Sequence, residues 1–236
     1  VEDCRFCPMC RDVCTAGVVT GLESHTSRGF ALLADRWYRR GSLPAGGPEA
    51  LYACTQCGLC KATCASERDL PEAILTIRQE FVQRQMKARA AAVVDGLALD
   101  GTSKVQRYHP DLGEVVFDAG GLLTSKAAAS TVEALQSLAE QHGVAFSVME
   151  SAPMCEHVLA DLGYVDDAVA SAQQYVERLE ASGAKRVVTA CSQCYDMFLR
   201  RYPRWGISWP EGVEIIHVAT WLKGLSVNPL PDSAVE

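Results

Sequence analysis

Aromatic residues are scarce in this sequence, and long apolar runs are missing. Phe, Trp and Tyr make up 7% of the 236 residues, so aliphatic side chains must fill most of any core. No stretch approaches the ~18 consecutive apolar residues of a membrane-spanning helix, and none is expected. The first residues, Val1-Glu2-Asp3-Cys4, are acidic and lack the apolar segment of a secretory signal. No low-complexity tract occurs, and at 48% hydrophobic and 22% charged the chain is too apolar to be disordered. A Gly-rich dinucleotide fingerprint is also missing. Gly120-Gly121 is too short a match to G-x-G-x-x-G, so no FAD or NAD is expected on this chain.

Cysteine, in contrast, is abundant. There are 11, and an odd number excludes complete intrachain pairing. Without a secretory signal, this points to a cytoplasmic, metal-binding use for most of the sulfur. Eight cysteines precede residue 65 and three follow residue 154. Charge divides along the same line. Residues 1–90 hold 12 Lys/Arg against 10 Asp/Glu, whereas residues 91–236 hold 10 against 19. The acidic second part argues against a nucleic-acid footprint. Arg36, Arg39 and Arg40 beside Trp37 and Tyr38 read as a solvated helix face with an aromatic on its core side; a docking patch is the alternative.

Two runs share one spacing: Cys4-x2-Cys7-x2-Cys10-x3-Cys14 and Cys54-x2-Cys57-x2-Cys60-x3-Cys64. Both follow the pattern of a bacterial [4Fe–4S] ferredoxin run. Three thiolates at two-residue intervals can wrap three corners of a cubane from one loop, and the fourth must come from farther away. In two-cluster ferredoxins the fourth cysteine of each run serves the other cluster. That rule assigns Cys4, Cys7, Cys10 and Cys64 to cluster 1, and Cys54, Cys57, Cys60 and Cys14 to cluster 2. Paired zinc knuckles fit poorly, because zinc sites usually read as two well-separated CxxC pairs. The proline that often follows the fourth cysteine is replaced by Thr15 and Ala65. The 39 residues between the runs read as helical, which suggests an α-helical ferredoxin domain.

Periodicity predicts a helix from Ser27 through Trp37, ended by Gly41 and Pro44. A second starts after Asp69, has Ala73, Ile74, Ile77, Phe81 and Val82 on its apolar face, and runs to about Arg89. Beyond a polar linker, strands are expected over 114–118, 144–149, 186–190 and 213–218, and helices over 126–142, 165–182, 192–201 and 219–225. Such alternation predicts a parallel sheet with helices on both faces. The expected fold class is α+β in two domains. Residues 1–95 form the α-helical ferredoxin domain, 96–112 the linker, 113–226 an α/β domain with a mostly parallel sheet, and 227–236 a tail.

The remaining cysteines are Cys155, in the loop after the second strand, and the pair Cys191-Ser192-Gln193-Cys194, which follows the third strand and opens a helix. A CxxC at a helix N-terminus serves either as a redox dithiol or as a metal ligand pair. Loops after adjacent parallel strands meet at one sheet edge, so the three sulfurs can converge.

With these motifs in place, the sequence resembles the iron–sulfur subunits that join an α-helical two-cluster ferredoxin to a Rossmann-like CCG (cysteine-rich) domain. Examples are the heterodisulfide reductase B and C subunits and the iron–sulfur subunits of glycolate oxidase and of anaerobic glycerol-3-phosphate dehydrogenase. The second half carries one degenerate copy of the cysteine motif. The strand from Val115 to Gly121 ends in Gly where the first Cys stands, and Met154-Cys155-Glu156 stands where Cys-Cys-Gly does. Gly163-Tyr164, Cys191, Cys194 and the strand-ending His217 follow at similar distances. The resemblance implies an electron-transfer subunit without catalytic residues of its own. It would relay electrons from a flavin-containing dehydrogenase or oxidase subunit to a downstream carrier, either an electron-transfer flavoprotein or a quinone pathway. Its place would be the cytoplasm, with any membrane association made through partners.

Two of the family motif's five cysteines are missing, so its non-cubane cluster is not expected. Cys155, Cys191 and Cys194 are left to hold a third [4Fe–4S], a zinc completed by His157, Glu156 or water, or nothing. The alternatives to electron transfer are a thiol/disulfide reductase subunit acting through these three cysteines, and a zinc-stabilised docking subunit. His217 reads as a core or hydrogen-bonding residue rather than a ligand, while His25, His109 and His142 carry no specific signal.

Overall fold

The computed structural model describes residues 4–86, 114–118, 126–149 and 156–225. The expected linker at 96–112 and the tail at 227–236 lie outside the described residues. Contacts group the described chain into two compact units. Residues 4–86 with Val158–Val165 form the first; 114–118, 126–149, 156–157 and 166–225 form the second.

The first unit is helical. Its main elements are α1 (Thr15–Thr20), α2 (Ser27–Arg40), α3 (Gly47–Tyr52), α4 (Leu59–Thr63) and α5 (Leu70–Gln83), with a 3-10 turn at Glu23–His25. Helix α2 starts where Thr26 caps it: the Thr26 hydroxyl accepts from the Gly29 amide at 3.1 Å. It ends at Gly41, which takes the left-handed conformation at φ 63°. Gly29 has to be glycine for a different reason. A Cβ there would lie 2.1 Å from the Glu23 carbonyl oxygen, so this site lets the 3-10 turn lie directly on α2. Asp69 caps α5 by accepting from the Glu72 amide.

The core of this unit joins Phe30, Ala34 and Trp37 of α2 to Leu51 of α3 and to Ile74, Ile77 and Phe81 of α5. Trp37 and Phe81 meet edge to face at 5.0 Å, and the Trp37 indole donates to Glu80 at 2.9 Å. Arg36, Arg39 and Arg40 are exposed while Trp37 is buried, as the solvated-face reading expects. Removing the α2 cap by Thr26→Ala is expected to cost about 1–2 kcal/mol, because the buried Gly29 amide loses its acceptor. A lowered urea midpoint with an unchanged slope would register it.

Helix α5 ends at Gln83, short of the expected Arg89. Gln85 turns left-handed at φ 52°, its amide bonds Val82 O at 3.0 Å, and the Met86 amide bonds Phe81 O at 2.9 Å. This is a Schellman closure with glutamine where glycine is usual.

The second unit is built on a four-stranded, all-parallel sheet. Its strands are β1 (Val115–Asp118), β2 (Phe146–Met149), β3 (Arg186–Thr189) and β4 (Glu214–His217), in the order β2-β1-β3-β4. Register pairs Val116 with Ser147 and Val187, and Val187 with Ile215. Phe117 and Val188 pack with Leu135, Ala139 and Trp221 on one face. Val116 and Val187 alternate to the other face and are fully buried as well. A parallel sheet buried on both faces needs apolar central strands, and Val115–Phe117 of β1 and Val187–Val188 of β3 supply them, with the buried polar Asp118 and Thr189 at the strand ends. Helices Lys126–Gln141, Val165–Ser182 and Val218–Gly224 match their expected spans to within a residue or so. The expected 192–201 helix is instead an α-turn, Ser192–Asp196, followed by a π-helix, Met197–Arg201. There Phe198 and Tyr202 pack against Trp209 at ring distances of 5.2 and 5.4 Å.

Candidate metal centre

The two cysteine runs fold into matching loops. Arg11 N donates to Pro8 O and Cys14 N to Arg11 O; Lys61 N donates to Gly58 O and Cys64 N to Lys61 O. The residue two after each leading cysteine has positive φ, 51° at Phe6 and 59° at Gln56. A left-handed non-glycine residue stores roughly 1–2 kcal/mol. Arg28 of α2 holds the first loop by donating from Nε to Phe6 O at 2.9 Å. The loops also meet, with the Thr15 and Thr55 hydroxyls 3.4 Å apart.

Cys4, Cys7, Cys10 and Cys64 line one cavity of about 220 Å³, together with Arg28 and Arg68. By the same measure one water needs about 10–15 Å³, so the space suits a group of many atoms rather than one ion. A smaller cavity of about 40 Å³ has Cys60 in its wall with Cys4, Cys10 and Cys64. The other thiols gather around Cys54. Burial pushes the Cys54 thiol above its ordinary value; the Gln56 backbone and Arg78 pull it down, while Cys14 and Cys57 add to the rise. Cys60 is pushed up to about 12, mainly by burial and then by Cys54, Cys10 and Cys57. Cys14 Sγ donates to His25 O at 3.5 Å, and Gln56 Nε2 donates to Cys54 Sγ at 3.5 Å. All eight are free thiols; Cys7 and Cys57 are exposed and the other six half-buried. Among the described residues, no three His, Cys, Asp or Glu side chains close around a single-ion site. Eight soft sulfur donors, split between two facing loops around multi-atom space, fit iron–sulfur clusters.

Residues 3–69 match the family model described as a 4Fe-4S dicluster domain. This part of the chain is a ferredoxin-like iron–sulfur domain, with the electron-transfer role that such a domain carries. No curated protein and no solved structure gives a significant match to the chain. No helix among the described residues is long and apolar enough to cross a membrane.

Cys155 lies outside the described residues, so its expected convergence with Cys191 and Cys194 does too. The CxxC pair sits just past β3. Cys191 N donates to the Thr189 hydroxyl at 3.2 Å, and Cys191 Sγ accepts from Cys194 N at 3.5 Å, capping the following turn. Cys191 is half-buried and Cys194 buried. His157 stands in the first turn of Glu156–Leu162. Glu156 is buried beside it; burial raises its carboxyl, and the Ser171 hydroxyl at 2.9 Å partly offsets this. His217 ends β4 and caps the next helix, its Nδ1 accepting from Ala219 N at 3.3 Å. That bond gives His217 a hydrogen-bonding role at the helix start.

Arginine is what the sequence reading missed. Arg28 and Arg68 stand at the first cavity and Arg78 beside Cys54. In sequence Arg78 lies on the stripe Ile74, Ile77, Phe81, and an arginine on a core-facing stripe is the signal that marks it.

Proposed function

We propose that this chain is the electron-relay subunit of an oxidoreductase complex and holds two [4Fe–4S] clusters. Cys4, Cys7, Cys10 and Cys64 hold the first; Cys54, Cys57, Cys60 and Cys14 hold the second. The observation that carries this reading is the pair of matching cysteine loops facing shared, multi-atom space. Bound clusters of this kind accept and release single electrons. The protein's own part is to hold and shield. The left-handed turns at Phe6 and Gln56 shape the cysteine loops, and the α2–α5 core keeps the loops together. Six half-buried thiols limit water, while Cys7 and Cys57 bring one exposed edge of each site to the surface.

In this reading electrons arrive from a flavin-containing dehydrogenase or oxidase subunit and leave to an electron-transfer flavoprotein or a quinone pathway, in the cytoplasm. The chain binds no FAD or NAD and contributes no catalytic residue. The parallel-sheet unit is a Rossmann-like CCG domain whose Cys155, Cys191 and Cys194 hold a third metal group or none. An EPR-monitored redox titration tests the relay. Two one-electron couples are expected, with signals broadened by their proximity; a chain that takes up no electrons would sink the proposal. Affinity isolation of the tagged chain is expected to bring a flavin-containing protein with it, and flavin-free complexes would remove the partner from the account.

A further inference from the structure

Among the described residues of the first unit, the most buried charge belongs to Arg78, only 2% exposed within α5. Its guanidinium is spent on backbone carbonyls. Nη2 donates to Leu51 O and to Cys54 O, each at 2.7 Å, and Nη1 donates to Asp161 O at 2.5 Å. The plane lies against the Tyr52 ring, with Cζ 5.0 Å from its centroid, and the Tyr52 hydroxyl donates to Leu162 O at 3.2 Å. Asp161 and Leu162 close the helix Glu156–Leu162, so the cation also sits where a helix's negative end favours one. Gly163 makes this approach possible. It takes φ 98°, and a Cβ there would lie 2.4 Å from Arg78 O.

Burying a guanidinium is costly unless every contact is made, and a leucine at this position on the α5 stripe would pack without that cost. What the arginine adds is a fork fixed to the carbonyl of the first cysteine in the second run, and a positive charge against it. A charge there acts on whatever Cys54 ligates, because an added electron is stabilised by a nearby cation in a region of low dielectric.

Building on the relay reading, we infer that Arg78 is the positioning residue of the second cluster. Its fork fixes the Cys54 backbone, and its charge makes the cluster ligated by Cys54 easier to reduce. The same guanidinium ties that ligand to the end of Glu156–Leu162, so movement of this helix would be felt at the second cluster and not at the first.

The test is an EPR-monitored redox titration of the full chain as wild type, Arg78→Met and Arg78→Lys. The second cluster's signal is the one missing from a Cys57→Ala chain. In Arg78→Met that cluster is expected to become harder to reduce. At the wild-type midpoint its reduced-to-oxidised ratio should fall about tenfold, equivalent to about 59 mV for one electron, with the first cluster unmoved. Arg78→Lys keeps a charge but loses the fork. Its potential should stay within about twofold in that ratio, while a chelator strips its iron several times faster. Unmoved potentials in Arg78→Met, or equal shifts of both clusters, would overturn the inference. Should Arg78→Met fail to load, Arg78→Lys decides: iron loss at the wild-type rate removes the positioning role. A wild type with no reducible cluster would overturn the relay reading itself, whereas two normal couples with an unresponsive Arg78→Met would overturn only the role of Arg78.

Discussion

Cys14→Ala is expected to cost the chain the cluster of the second run, not of its own. Iron should fall from about eight to about four per chain, and Cys4, Cys7 and Cys10 should keep theirs. The expectation follows from where the thiols sit. Cys14 closes the first run, yet it lies close enough to Cys54 to raise that thiol, and α1 carries it toward Thr55. Cys64 closes the second run, yet it lines the cavity of Cys4, Cys7 and Cys10. Cys64→Ala should therefore be the mirror image and spare the second cluster. If each run were self-contained, the two variants would exchange their phenotypes. EPR of the remaining cluster separates these cases, because each half-loaded chain should show one uncoupled signal. Cys54→Ala should match Cys14→Ala in iron content and in the signal that survives.

The second large effect is expected from Phe81→Ala. Phe81 is fully buried, meets Trp37 edge to face at 5.0 Å and lies 6.2 Å from the Tyr52 ring. Truncating such a ring costs about 3–5 kcal/mol, from lost transfer energy and the cavity left behind. A domain this small is stable by only about 5–15 kcal/mol, so the helical unit would be left close to its limit. The loss reaches function, because Phe81 packs in the same cluster as Cys4, Cys14, Cys54 and Cys60. The variant should bleach its cluster absorbance at clearly lower urea than wild type. Phe81→Leu fills most of the space and should lose much less. An unchanged bleaching midpoint in Phe81→Ala would mean that the α2–α5 core does not support the cysteine loops.

How much was legible in the sequence depends on the range of the physics involved. The strands came through because β1 and β3 are short β-branched runs, and Gly143 and Gly183 punctuate the helices before β2 and β3. The end of α5 did not. Its left-handed residue is Gln85, and nothing in the composition marks a glutamine as a helix stop. The π-helix at Met197–Arg201 was also hidden, since a run of helix formers carries the same periodicity whether or not one turn is widened. At the candidate site, the eight cysteines stand out in the sequence because their spacing is local. Arg28 and Arg78 do not. Each is held by carbonyls that other segments supply: Phe6 O for the half-exposed Arg28, and Leu51, Cys54 and Asp161 O for the buried Arg78. Those partners are 22 to 83 residues away in sequence, beyond any window of pattern reading.

The central claim is that the eight thiols of the two runs hold clusters and not single ions. Iron, acid-labile sulfide and zinc measured per mole of anaerobically purified full chain test it most directly. The account predicts at least about eight irons with matching sulfide. Zinc filling the sites of Cys4 to Cys64, with little iron and no sulfide, would contradict it.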